Sequence, residues 1–72
     1  MKIKFTPREM DILKMLCLEN KLIGAKLFLS LSTIKTYVTR ILNKLGVDNR
    51  QIAQIKAVKL GIIKLDEIIT EG

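Results

Sequence analysis

The chain has 72 residues, 49% of them hydrophobic, and 13 basic against 7 acidic side chains give it a formal net charge of +6. A chain this short buries only about 60% of the surface its unfolded form exposes, which leaves one core and no room for a cleft enzyme with a large substrate pocket. It has no His and a single Cys, which removes His-based triads, most zinc sites and any internal disulfide.

The four Gly are scattered singly, so no phosphate-cradling loop is present. Glu9, Asp11 and Glu19 fall at helix starts and ends, where capping and solvation explain them better than acid–base chemistry. The reading is therefore of a protein that is not an enzyme, with no catalytic residue, metal, cofactor or small-molecule ligand. The positive surplus favours a polyanion. No apolar run approaches the roughly 20 residues of a transmembrane span, and "MKIKFTPREM" lacks the apolar core of a signal peptide. A nucleic acid is thus preferred to a membrane, and a lone thiol fits a reducing cytoplasm.

The first helix begins at "FTPREM": Thr6 caps, Pro7 takes the first helical position and Glu9 completes a capping box, with Phe5 and Met10 as a hydrophobic staple. Ile12, Leu13, Leu16 and Cys17 form its inward stripe, Met15 and Leu18 the edges, and Cys17 reads as a small core residue. Glu19 or Asn20 caps a short second helix that buries Ile23 and Leu27, with Leu22 beside them. Gly24 inside it costs about 1 kcal/mol relative to Ala, so its expected reason is close approach by another backbone, packed against the third helix, tolerant of Ala but not of Leu. Ser30 caps that third helix, with Leu29 and Ile34 as a second staple. Only a tight turn fits between Leu27 and Ser30, and two helices joined so closely make a helix-turn-helix.

Centred on Val38, the buried stripe of the third helix holds Ile34, Ile41, Leu42 and Leu45. Ser32, Thr33, Thr36, Arg40, Asn43 and Lys44 point away, and Lys35, Tyr37 and Thr39 lie on the flanks. Gly46 ends the helix in a Schellman turn with Val47 against Leu42. Asp48 or Asn49 caps a fourth helix that Gly61 stops. Its Ile52, Ala53, Ile55, Ala57, Val58 and Leu60 run more than halfway round, too far for one core face, so the second face is buried or meets another chain. The core spans about 5–63, and the tail 64–72 is short with a frayed end.

The second helix of a helix-turn-helix enters the major groove, where Thr and Ser hydroxyls read base edges and Lys35, Arg40 and Lys44 attract phosphates. A solvated amphipathic helix in an all-α adaptor is the bland alternative.

"FTPREMDILKMLC", "IGAKLFLSLSTIKTYVTRILNKLGVDNR" and the spaced Ala53, Ala57 and Gly61 resemble the LuxR-type helix-turn-helix family of bacterial transcription regulators, from about Phe5 to Ile63. The LFxS, TxK and KLGVxNR elements are the specific part. Gly24 stands where that family usually has Ala. The resemblance implies an all-α, four-helix domain that binds double-stranded DNA and regulates transcription, with its third helix in the major groove. It points to Lys35, Thr36 and Thr39 near bases, and to Ser32, Thr33, Arg40 and Lys44 near phosphates, with Lys21 added from the second helix. It implies a homodimer through the fourth helix, where Ile55, Val58 and Gln54 are the expected interface. The chain has no room for an upstream receiver or ligand-binding domain, so its activity is expected to follow concentration or a partner, with RNA polymerase a further candidate. A sigma-factor region-four-like module and a protein-interaction adaptor are the alternatives.

Overall fold

Thr6 accepts the Glu9 amide at 3.1 Å while the Glu9 carboxylate accepts the Thr6 amide at 2.9 Å, so α1 (Pro7–Leu13) starts on the capping box its sequence announces. In the computed structural model, which describes residues 3–70, three further helices follow: α2 (Asn20–Leu27), α3 (Leu31–Leu45) and α4 (Arg50–Lys59). A short 3-10 turn, Leu65–Glu67, follows α4, and no strand occurs among the described residues. The architecture is the expected all-α, four-helix helix-turn-helix.

The caps follow the sequence. Ser30 accepts from the Thr33 amide and Asn49 from the Ile52 amide, each satisfying an orphan donor of a first turn. Glu19 is the residue before α2 but offers no side-chain cap. Gly46 is left-handed at φ 68°, and the Val47 amide reaches back to the Leu42 carbonyl at 3.0 Å, which closes α3 as a Schellman turn. Gly61, at φ 75°, does the same for α4, with Ile62 donating to the Ala57 carbonyl.

α3 is the element on which α1, α2 and α4 all pack. Its buried stripe is Ile34, Val38, Ile41 and Leu45, facing Ile12, Leu13, Leu16 and Ile23 on one side and Ala53 and Ala57 on the other. The alanines keep α4 close to α3, while Ile52, Ile55 and Leu60 stay at least half exposed.

The end of α1 departs from the sequence reading. Regular winding stops at Leu13. Beyond it Met15 donates to Ile12, Leu16 to Leu13 and Leu18 to Met15, all three-residue steps instead of four. Winding of about 120° per residue instead of 100° rotates the later side chains round the axis. Met15 and Leu18 thereby turn into the core, and Cys17, expected inside, is exposed with its thiol donating to the Ile69 carbonyl at 3.0 Å.

Unwinding leaves carbonyls with spare or unused acceptor capacity, and distant residues take them. Gln54 donates its side-chain amide to Leu13 O at 3.0 Å, and the Ile69 amide donates to Lys14 O at 2.8 Å. Arg50 donates to Leu16 O at 3.0 Å, to Leu18 O at 2.6 Å and to the Asn20 side chain. Gln54 is largely buried by this role, while it still lines one groove with Ile55 and Val58. The tail is likewise docked where a loose end was expected. Ile63 is buried, Ile68 and Ile69 pack on the core, and Glu67 pairs with Lys14 at 3.5 Å. The last two residues, where fraying was expected, lie outside the described ones.

Glu9 is a buried carboxylate answered by Lys44, whose ammonium sits 2.6 Å away, donates to Lys4 O and lies over the Phe5 ring. Burial alone would raise its pKa. The hydrogen bonds from Lys44 and Thr6 outweigh burial and hold the carboxyl below its ordinary 4.5. A folded-state pKa below the unfolded one contributes stability above about pH 4.5 that is lost as pH falls through the folded value. Glu9→Gln should therefore cost about 1–3 kcal/mol near neutral pH, and the gap in melting temperature to wild type should close as the pH drops below 4.5. A gap independent of pH between 3 and 7 would show that the ionised pair contributes nothing.

Candidate nucleic-acid interface

From Asn20 to Val47 the chain carries Lys21, Lys26, Lys35, Arg40 and Lys44 and no acidic residue. The turn between α2 and α3 sets how these charges are presented. Phe28 takes the left-handed conformation at φ 57°, and the Leu29 amide bonds back to the Gly24 carbonyl at 2.9 Å. The chain reverses within Phe28–Ser30 and enters α3 immediately.

Beyond the exposed Leu31, the outward face of α3 is polar. Ser32, Lys35, Thr36, Thr39, Arg40 and Asn43 are exposed, Thr33 and Tyr37 half-buried. At the first turn the hydroxyls of Ser30, Ser32 and Thr33 cluster, with Ser30 to Thr33 at 2.8 Å and Ser30 to Ser32 at 3.2 Å. Thr36 donates its hydroxyl to Ser32 O at 3.1 Å and Thr39 to Lys35 O at 3.0 Å. With the hydroxyl protons used this way, each threonine offers acceptor lone pairs and a methyl group to whatever lies against the helix. The Arg40 guanidinium sits 5.7 Å from the Tyr37 ring centroid, which steadies it without neutralising it. Lys35, Arg40 and the exposed Lys21 of α2 have no ion-pair partner among the described residues.

Lys44 differs from these. Its ammonium is bound to Glu9, because a buried carboxylate left unpaired would cost several kcal/mol, roughly 3–5. Lys56 on α4 is similarly used, donating to Leu45 O at 2.6 Å at the end of α3. Sequence reasoning placed Lys44 among the outward cations because helical angle alone does not reveal an acceptor 35 positions away. It also assigned no task to Arg50 or Lys56, and it gave Gln54 to the outer face of α4 without its bond to Leu13. The only signal for Arg50 was its place in the KLGVxNR element. No cluster of metal-ligating side chains occurs among the described residues, and no helix there is long and apolar enough to cross a membrane.

Residues 4–57 match the model of the LuxR family of bacterial regulatory proteins. The chain belongs to that family. This LuxR-family domain is 42% identical over 62 residues to an uncharacterized transcriptional regulatory protein, YxjL, of Bacillus subtilis (strain 168), a match covering 83% of the chain and 28% of the relative. It is 43% identical over 54 residues to the transcriptional regulatory protein LiaR of the same organism, covering 72% of the chain and 26% of LiaR. It is 34% identical over 62 residues to the transcriptional regulatory protein DegU of Brevibacillus brevis, covering 83% and 26%. The domain thus spans less than a third of each of these relatives. Its family places it among DNA-binding proteins of transcription regulation.

Proposed function

We propose that this LuxR-family domain reads double-stranded DNA with α3 in the major groove, as one half of a homodimer joined through α4, acting in the cytoplasm. Lys35, Thr36 and Thr39 approach base edges. Ser32, Thr33, Arg40 and Lys21 grip phosphates, and Lys44 is left out of that set because its charge is bound to Glu9. The observation that carries the reading is the outward face of α3, where hydroxyls, methyls and unspent cations stand together and no acid interrupts them.

Binding to genomic fragments at two salt concentrations tests it. Lys35→Ala and Arg40→Ala should each flatten the slope of log affinity against log salt by roughly one. Thr36→Ala and Thr39→Ala should leave that slope alone and change which sequence is preferred. Wild-type affinity, salt response and sequence preference in all four variants would rule α3 out as the reading helix.

The dimer rests on Ile55, 56% exposed, and on Val58, half-buried at the edge of the core beside it. One short basic domain makes few phosphate contacts, so two half-sites help it reach specific affinity. Ile55→Asp or Val58→Asp should weaken binding to a two-half-site DNA far more than to one half-site, with circular dichroism unchanged. Equal losses on both DNAs would sink the dimer.

A further inference from the structure

Two exposed apolar side chains sit together where α2 turns into α3. Phe28 is 93% exposed and Leu31, the first residue of α3, is 48% exposed, and neither packs on the core. A lone Leu or Phe at a surface is ordinary. Phe28 is not, because it also holds φ at 57°, a left-handed conformation that is strained for a bulky side chain. No core contact offsets either cost. Both side chains border a hollow of about 570 Å³, lined also by Gly24, Ala25 and Lys21 and by no acidic residue. Lys35 lies one helical turn beyond Leu31 on the same side of α3, and Lys21 and Lys35 are exposed without ion-pair partners among the described residues.

We infer that this apolar step reads a thymine. Leu31 lies against the C5 methyl of one thymine in the major groove, and the Phe28 ring covers the sugars of the same strand while Lys21 meets its phosphate. This rests on the reading of α3 proposed above and adds to it two residues whose side chains form no hydrogen bonds. A partner that touches Leu31 also meets Lys35 four residues on, and the hollow carries positive charge only, so the partner is anionic and is the one that α3 reads. Leu31 is the one exposed residue of α3 without a polar group, so it gains only where it meets an apolar surface. Among the base edges of the major groove, the thymine methyl is that surface. The methyl lies on the same wall of the groove as the phosphates of its own strand, and Leu31 and Lys21 likewise share one hollow.

Duplexes of about 20 base pairs, two helical turns, selected from a random pool by binding to the full chain supply the probe. In the preferred duplex each thymine is then replaced singly by deoxyuridine, which removes the methyl and leaves base pairing alone. One replacement per half-site should lower wild-type affinity roughly fourfold, the effect of one buried methyl. Leu31→Ala should bind the thymine duplex no better than the uracil one, with its melting temperature unchanged. Phe28→Asn should raise the melting temperature, because Asn accepts the left-handed region, and should lower affinity for both duplexes by the same factor, roughly tenfold. If no replacement separates Leu31→Ala from wild type while the Lys35 and Thr36 variants behave as stated above, the inference falls and the reading of α3 stands. Wild-type affinity in Phe28→Asn removes the ring from the contact; in both variants it overturns the whole and assigns the patch to a protein partner. A pool that yields no preferred sequence overturns the reading of α3 and the inference with it.

Discussion

Gly24→Ala should lower the melting temperature, although Ala is the better helix former by about 1 kcal/mol. A Cβ built on Gly24 would lie 2.6 Å from the carbonyl oxygen of Leu29, well inside contact distance. That oxygen belongs to the backbone of the helix-turn-helix turn, which is fastened to Gly24 itself by the Leu29 amide, so it cannot swing aside as a side chain would. Moving it reopens the turn that aims α3. The net loss should be about 1–2 kcal/mol, or roughly 4–16 °C for a domain of this size. Leu at the site also meets Ile34, whose Cγ1 lies 3.7 Å from that Cβ, and should lose about 3 kcal/mol or more. This reverses the expectation that Ala is tolerated: the close approach is made by the turn's own backbone, and the side chains of α3 stand farther off. Thermal melts of the two variants check it. An Ala variant as stable as wild type would mean that the turn yields freely.

Arg50→Ala should destabilise by about 2–4 kcal/mol. One half-buried guanidinium satisfies Leu16 O, Leu18 O and Asn20 together, and its removal leaves those acceptors without a donor where the α1–α2 link meets α4. Lys should restore only a minor part, because a single ammonium cannot reproduce the planar fork that reaches all three. Chemical denaturation with both variants provides the measurement. If Lys at position 50 matches wild type, charge and not geometry is what the site requires. The unwound end of α1 should loosen first, so amide exchange in residues 14–18 should quicken in the Ala variant before that of α3 does.

Local features were the legible part of this chain. The capping box at Thr6 and Glu9, the caps Ser30 and Asn49, and the glycine stops at 46 and 61 each depend on residues within a few positions of one another. The outward face of α3 follows from helical angle alone, and Ser32, Lys35, Thr36, Thr39 and Arg40 are all exposed there. What was missed comes from a change of pitch or from separation in sequence. Cys17 lies outside because α1 tightens after Leu13, and periodicity at a fixed 100° has no means of registering a change of pitch. Lys44 is pulled to Glu9 across 35 positions and Gln54 to Leu13 across 41. The tail, rich in Ile but short, gave no periodic signal, and its order comes from carbonyls that became available only because α1 unwound.

That dependence also sets an order of assembly during synthesis. The donors for the carbonyls of Leu13, Lys14, Leu16 and Leu18 belong to Gln54, Ile69 and Arg50, all made long after α1 itself. A chain grown only to the end of α3 therefore lacks those donors, and acceptors at the end of α1 are left to water. The link between α1 and α2 is locked to the rest of the domain only when residues 50–69 emerge. Its fastening comes from residues made well after the turn between α2 and α3.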